Sequence, residues 1–314
     1  MVTPPEPTEQ LTVRLGDGVR LHVDTYGRSD APLSVVLMHG WTLDRRVWHH
    51  QIDALTTAAD VRVIAYDARG HGRSSATQLR AATLGQLGDD LAEVMQQVSG
   101  KVPSVLVGHS LGGMTIMEYA AAHRRSFDAR VAGLVMVSTT AEGHTHTEYG
   151  LPNPLSRIVR AIELSSSYVM ARCGDVRPHR PLMTALRPGI RWLMFGDECE
   201  ADDLTLTCAV VAGSSLRSIG GFRESVGTQQ RLDTLRELPG MPTAVLVGDQ
   251  DRITPPTCAV SIASALAGTK IRTYEGAGHM LMMERPAAVN AAILDVLRGV
   301  RGSAAGDSGL SAAA

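Results

Sequence analysis

This chain of 314 residues has few aromatic residues and only a small excess of negative charge. It also lacks long apolar runs and closely spaced cysteine pairs. Phe, Trp and Tyr make up only 4%, so the core must rely on Val, Leu, Ile, Ala and Met. A formal net charge of −2 gives no electrostatic basis for binding nucleic acid or an anionic membrane. No apolar run approaches a membrane span, and the first residues lack the basic segment and apolar core of a signal peptide. We therefore expect a cytoplasmic protein.

The four cysteines, Cys173, Cys199, Cys208 and Cys258, form no Cys-x-x-Cys pair and have no paired-histidine spacing. We expect free thiols in a reducing compartment, with a disulfide among the cysteines between 173 and 208 as the alternative, and predict no metal.

A strand, a tight turn and a helix follow one another around Ser110. Val105-Leu106-Val107 is an apolar, β-branched run typical of a buried strand, and an alanine-containing helix is predicted after Gly113. Between them, Gly108-His109-Ser110-Leu111-Gly112 matches Gly-x-Ser-x-Gly, the pattern of a strained turn that presents a nucleophilic serine. Free N–H groups at the start of the helix would face an anion forming beside Ser110. Gly-x-Gly-x-x-Gly does not occur, so no dinucleotide cofactor is predicted.

Strands and helices alternate along most of the chain, which predicts an α/β fold with a largely parallel sheet. A hairpin surrounds Gly16-Asp17-Gly18 and precedes the buried runs. No strong buried strand appears between residues 140 and 236, where helical patches and prolines predict a helical cap inserted after the sixth strand. The predicted organisation is a core over 10–139 and 237–300, a cap over 140–236, and flexible termini over 1–9 and 301–314. The strands are expected at 11–15, 21–26, 34–39, 61–66, 102–107, 131–138, 242–247 and 270–274, and the last helix at about 285–297.

Polar, glycine-containing loops follow several of these strands. His39-Gly40-Trp41 follows the third, where Gly40 would let a backbone N–H approach Ser110. The loop 67–74 is interpreted as a structural turn in which Asp67 and Arg69 bond neighbouring backbone groups, without a role for His71.

Together with Gly248-Asp249-Gln250-Asp251 and Gly278-His279, these landmarks resemble the α/β-hydrolase family over residues 10 to 300. They occur in the family's order of nucleophile, acid and histidine. The resemblance is strongest to small serine esterases and cofactor-free perhydrolases. It implies a mostly parallel central sheet flanked by helices.

The chemistry of a serine nucleophile assigns the remaining roles. Ser110 needs an adjacent base at neutral pH, and His279 is assigned to that role. The resemblance favours Asp251 over its rival Asp249 as the acid that holds the imidazole, with Glu142 a distant third. The resemblance also implies that the backbone N–H groups of Trp41 and Leu111 bind the oxyanion. In addition, His39 and His109 are expected to be structural or to line the pocket.

The predicted function is hydrolysis of an ester, lactone or thioester of a small apolar acyl compound through an acyl-enzyme, without a cofactor. An acyltransferase, a perhydrolase or a carbon–carbon bond hydrolase would use the same triad. A serine at position 110 argues against the haloalkane dehalogenases and epoxide hydrolases of this fold, which use aspartate there. A non-catalytic small-ligand receptor on the same scaffold is the competing class. The expected partner is a small-molecule substrate, and the oligomeric state is left open.

Overall fold

An eight-stranded sheet in the order β1-β2-β4-β3-β5-β6-β7-β8 forms the centre of the protein in a computed structural model. The structure describes residues 5–143, 149, 151–178 and 180–311. β1 pairs antiparallel with β2 and β2 antiparallel with β4, whereas every other neighbouring pair is parallel. The strands are β1 (Glu9–Arg14), β2 (Arg20–Tyr26), β3 (Ser34–Met38), β4 (Arg62–Tyr66), β5 (Ser104–His109), β6 (Val131–Val137), β7 (Thr243–Gly248) and β8 (Lys270–Tyr274). The predicted mostly parallel α/β sheet is confirmed.

Helices cover both faces of this sheet because its central strands are apolar on both sides. In β3, Val36 and Met38 pack into a cluster with the helices Leu84–Gln97 (α2) and Leu111–Ala122 (α3). Val35 and Leu37 pack on the opposite side with the helices His49–Ala58 (α1) and Pro286–Ser311 (α13). This alternation follows from the two-residue period of a strand. The helices outside the segment between β6 and β7 are α1 (His49–Ala58), α2 (Leu84–Gln97), α3 (Leu111–Ala122), α4 (Arg124–Arg130), α11 (Pro256–Ala265), α12 (Leu281–Glu284) and α13 (Pro286–Ser311), with short 3₁₀ turns at Arg45–Trp48 and Leu79–Ala81.

Helical segments occupy most of the chain between β6 and β7. They are α5 (Asn153–Met170), α6 (Arg180–Met194), α7 (Ala201–Gly213), α8 (Leu216–Gly221), α9 (Arg223–Thr228) and α10 (Leu232–Arg236). In the described part of this segment the only β pairing is an isolated bridge between Glu142 and Gln230. The helical character follows the sequence prediction, whereas the boundaries of a separate cap over 140–236 stay a prediction.

The last helix, α13, continues through Ser311, so the end predicted at Leu297 was wrong. Several glycines beyond that point suggested a break, since each costs ~1 kcal/mol in a helix. Extending a helix that is already formed adds one hydrogen bond per residue, and alanines in the same stretch favour it. Residues 301–311, predicted as part of a flexible terminus, are therefore helical, while 1–4 and 312–314 lie outside the described residues.

All four cysteines are free thiols, as predicted. Among the described residues, none of the helices is both long enough and apolar enough to span a membrane.

Candidate active site

Ser110 lies on the sharp turn between β5 and α3, with a φ of 51° and a ψ of −116°. A non-glycine residue in such a sparsely populated conformation costs ~1–3 kcal/mol and persists only where its surroundings hold it. Its N–H donates to the carbonyl oxygen of Val137 at 3.0 Å, and the hydroxyl of Thr139 donates to its carbonyl oxygen at 2.7 Å. Two contacts from the end of β6 thus hold the serine in this strained conformation.

Glycine is required on both sides of Ser110 because other backbone segments come close to Gly108 and Gly112. A Cβ on Gly108 would lie 2.5 Å from the backbone nitrogen of Gly113, and one on Gly112 would overlap the carbonyl oxygen of Met38. Since backbone atoms on both sides cannot move away independently, α3 can pack against β5 and β3 only if these positions lack side chains.

We expect Gly112→Ala to lower the free energy of unfolding by ~3 kcal/mol or more, because the new methyl group meets main-chain atoms of β3. Gly85→Ala is the matched control: Gly85 lies in the first turn of α2 and a Cβ there meets nothing within 4 Å. That variant should be as stable as the wild type or more stable by up to ~1 kcal/mol. Urea unfolding followed by circular dichroism measures both, and equal stability of the two variants would contradict the packing argument.

The imidazole of His279 is held by the carboxylate of Asp251. Nδ1 of His279 lies 2.9 Å from Oδ2 and 3.1 Å from Oδ1 of Asp251, and both residues are buried. His279 follows β8 and Asp251 follows β7, so the adjacent carboxyl ends of two parallel strands bring them together. With Nδ1 engaged by a carboxylate that only accepts, Nε2 is left as the proton acceptor in the neutral ring.

Asp251 is itself held by the turn that follows it. Oδ1 accepts the backbone N–H groups of Ile253 and Thr254 at 2.9 and 2.8 Å, and Oδ2 accepts the hydroxyl of Thr254 at 2.9 Å. Burial alone raises the pKa of Asp251, but the adjacent imidazole of His279 and these donors outweigh it and keep the pKa of the carboxyl below its ordinary value. The side chain therefore stays ionised at neutral pH and can stabilise an imidazolium. Sequence reasoning missed Thr254, although Asp followed three residues later by Thr is a signal for such a turn.

The two rival acids lie in other environments. Asp249 is exposed, and its Oδ1 accepts the N–H of Gly276 at 2.9 Å, which braces the turn after β8. Glu142 takes part in the isolated bridge to Gln230. The carboxylate that contacts His279 is the one that the sequence favoured, at position 251.

The loop that carries Trp41 is positioned by buried histidines. Nε2 of His39 accepts the N–H of Ala68 at 3.0 Å, and Nε2 of His71 accepts the N–H of Thr42 at 3.3 Å. Thr42 has a φ of 64°, a second strained residue beside the site. Burial lowers the pKa of His39, and it lowers that of His71 to about 3, so both rings stay neutral. They hold the loop, and the single N–H of each neutral ring is donated to a backbone carbonyl oxygen, that of Gly40 for His39 and that of Arg69 for His71.

His109 is also a structural residue. Its Nε2 lies 2.9 Å from the carbonyl oxygen of His279, which fixes the backbone of that residue. Burial lowers the pKa of His109 well below its ordinary value. Neither His109 nor His39 lines the cavity next to Ser110.

That cavity has a volume of about 190 Å³ and is lined by Ser110, His279, Trp41 and Leu111 together. Helix α3 begins at Leu111, so the N–H of this residue has no partner within the helix. The other lining residues are mostly apolar: Leu43, Met114, Leu193, Met194, Val226 and Ile253, with Thr42, Tyr149 and Glu163 as the polar ones. Several of them come from the helices between β6 and β7, so that segment forms part of the wall.

The loop 67–74 is structural, as the sequence indicated. Asp67 accepts the backbone N–H groups of Arg45 and Arg73 at 2.9 and 2.8 Å and pairs with the guanidinium of Arg45. Arg69 differs from expectation, because its guanidinium pairs with the carboxylates of Asp90 and Asp17 rather than with backbone.

Within the described residues, one group of side chains could hold a metal ion: His49, His50 and Asp203. None of the three lines the cavity beside Ser110.

The model of the alpha/beta hydrolase family matches residues 35–292. The chain belongs to this family. A non-heme chloroperoxidase of Streptomyces lividans is 26% identical over 90% of this chain and 98% of its own length. Epoxide hydrolase A of Mycobacterium tuberculosis is 27% identical over 94% of this chain and 98% of its own length. A thermophilic esterase from Thermogutta terrifontis has a similar solved structure, with a TM-score of 0.73, 24% identity, and coverage of 93% and 99% of the two chains. The protein is thus an enzyme of the alpha/beta hydrolase family, whose relatives include hydrolases and esterases.

Proposed function

We propose that this enzyme hydrolyses an ester, lactone or thioester of a small apolar acyl compound, with Ser110, His279 and Asp251 as its triad. In the first step, Oγ of Ser110 attacks the acyl carbon while Nε2 of His279 takes the hydroxyl proton. The same proton passes to the departing alcohol or thiol, or to the ring-opened hydroxyl of a lactone. An acyl group is then bound to Ser110 as an ester.

In the second step, water attacks the acyl-enzyme and His279 takes its proton. Collapse of the second tetrahedral anion breaks the bond to Oγ of Ser110, which regains its proton from His279, and the free acid leaves. Asp251 stays ionised throughout and stabilises the imidazolium that forms in each step.

The backbone N–H groups of Trp41 and Leu111 are assigned to the negative oxygen of both tetrahedral intermediates. One donor is at the start of α3 and the other is in the loop after β3, and both residues line the cavity with Ser110. Each such donor contributes ~3 kcal/mol of transition-state stabilisation. Since only main-chain atoms are used, the side chains at these positions are free to serve the pocket.

The observation that carries this proposal is the meeting of Ser110 and His279 in one apolar cavity, with Asp251 bonded to the far nitrogen of the imidazole. A dry cavity of ~150 Å³ is enough to hold benzene. The space of about 190 Å³ therefore suits a short or compact acyl group rather than a long chain.

A serine-reactive fluorophosphonate tests the nucleophile directly. We expect one covalent adduct per chain, located on the peptide that contains Ser110 by mass spectrometry. His279→Ala should react at least ~100-fold more slowly, since general-base assistance contributes ~10²–10⁴-fold. An adduct on another serine, or undiminished labelling of the His279 variant, would refute the assignment.

Chromogenic esters with acyl groups of two to twelve carbons should reveal the size of the cavity. We expect kcat/KM to peak among the shorter members and to fall for the longest, because the longest chains cannot fit inside about 190 Å³. A value that rises steadily to twelve carbons would contradict the small size of the pocket.

The chloroperoxidase relative favours one second candidate, in which hydrogen peroxide instead of water attacks the acyl-enzyme and releases a peracid. The triad and cavity serve both reactions equally. Peracid formation from acetate and hydrogen peroxide, compared with the hydrolysis of an acetate ester, measures the preference.

A further inference from the structure

Two adjacent histidines and an aspartate from distant parts of the chain meet away from the catalytic cavity. His49 and His50 begin α1, while Asp203 lies in the first turn of α7. One ligand atom from each lies within 4.8 Å of those of the other two. We call these residues the His49–His50–Asp203 cluster.

The hydrogen bond of His49 fixes which nitrogen carries its proton. Nδ1 of His49 lies 3.1 Å from the carbonyl oxygen of Arg46, and a carbonyl oxygen can only accept, so Nδ1 is the donor. In the neutral ring, Nε2 then presents a lone pair. It lies 3.3 Å from Oδ1 of Asp203, which is also an acceptor, and neither atom has a hydrogen-bond partner among the residues that the structure describes.

Two buried acceptors that face each other are unfavourable unless a positive charge lies between them. Both His49 and Asp203 are 3% exposed, so water does not screen the contact. A divalent cation would satisfy both atoms at once. The pattern is also that of a metal-binding histidine, whose second nitrogen donates to a backbone carbonyl and thereby orients the ring.

The two distances between an imidazole nitrogen and a carboxylate oxygen in the cluster suit a small tetrahedral ion. Zinc binds imidazole nitrogen at about 2.0–2.1 Å and carboxylate oxygen at similar distances, so two of its ligand atoms lie ~3.3 Å apart. Here Nε2 of His49 is 3.3 Å from one carboxylate oxygen of Asp203 and Nε2 of His50 is 3.5 Å from the other. The side chain of His50 is 35% exposed, which leaves an open side for the ion to enter and for water to complete the coordination.

We propose that His49, His50 and Asp203 form a binding site for a divalent transition metal, with zinc the best match to two imidazoles and one carboxylate. Because α1 packs on the sheet and α7 lies between β6 and β7 in the chain, the bound ion cross-links the helical segment to the sheet-bearing part. Its effect is on stability, and it takes no part in the hydrolytic reaction.

Zinc titration of chelator-treated full-length protein tests the site by isothermal calorimetry and by thermal unfolding. We expect about one equivalent of ZnCl₂ to bind with a micromolar or lower Kd. At a hundredfold excess over that Kd, the Tm should rise by ~5 °C. His50→Gln and Asp203→Asn should each weaken binding at least ~10-fold and reduce the rise in Tm accordingly.

His123→Gln provides the matched control. His123 forms a pair with Asp89 at 2.7 Å on the surface, and neither residue belongs to a three-ligand group among the described residues. This variant should bind zinc as the wild type does. If Asp203→Asn does not fold, His50→Gln decides the question, because its side chain is partly exposed.

Two results would overturn the proposal. One is the absence of saturable zinc binding in the wild type, which would leave a protonated His49 paired with Asp203 as the explanation of the contact. The other is equal zinc affinity in the wild type and His50→Gln, which would place the ion elsewhere.

Discussion

Ser110→Ala is expected to lower the turnover of a short-chain chromogenic ester by about 10⁴–10⁶-fold, while the protein stays folded. In the proposed mechanism, the change removes the oxygen atom that forms the acyl-enzyme. The oxyanion donors and the cavity remain, so a small residual rate above the uncatalysed reaction is expected. Steady-state kinetics of the purified variant measure the loss, and circular dichroism with thermal unfolding verifies the fold.

Ser138→Ala is the control that separates chemistry from backbone strain. Ser138 follows β6 and has a φ of 44°, so alanine at this position must adopt a positive φ as it must at 110. Its hydroxyl is buried and has no hydrogen-bond partner in the described part of the chain, and the residue is not among those that line the cavity. We expect its kcat/KM to stay within a few-fold of the wild-type value. A comparable loss in both variants would attribute the effect to strain and would refute the assignment of Ser110 as nucleophile.

Asp251→Asn is expected to lower kcat by ~10⁴-fold with little change in structure. The backbone N–H groups of Ile253 and Thr254 donate to Oδ1, so the carbonyl oxygen of the asparagine takes that position. Its amide group then occupies the position of Oδ2, 2.9 Å from Nδ1 of His279. An NH₂ group only donates, so Nδ1 must become the acceptor and Nε2 must carry the ring proton. In that tautomer His279 has no lone pair with which to accept the proton of Ser110.

The matched control is Asp249→Asn, two residues away in the same loop. Asp249 is exposed, and its carboxylate accepts the N–H of Gly276. Asp249→Asn is therefore expected to lower the free energy of unfolding by about 1 kcal/mol and to leave kcat within a few-fold of the wild-type value. Steady-state kinetics of the two variants at neutral pH make the comparison. A larger loss in Asp249→Asn than in Asp251→Asn would reverse the assignment of the acid.

The strands and the sharp turn at Ser110 could be predicted from the sequence because their signals are local. β3 and β5 are continuous apolar runs, and Gly108 and Gly112 lie close to Ser110 in the sequence, although the requirement for glycine at 112 comes from the approach of β3. The end of α13 was predicted wrongly because the glycines after Leu297 indicate a break when they are considered locally. In the structure the helix that precedes them continues through Ser311.

The sequence by itself determined the mostly parallel sheet, the position of Ser110 on its turn, and the candidates for acid and base, since periodicity and turn chemistry operate over a few residues. The family resemblance favoured Asp251 over Asp249, but only the tertiary structure decided that Asp251 contacts His279 while Asp249 accepts the N–H of Gly276. It also decided the small volume of the cavity and the approach of His50 to Asp203, 153 positions apart in the chain. Such contacts depend on how distant helices pack against the sheet, and that packing leaves no local pattern in the sequence.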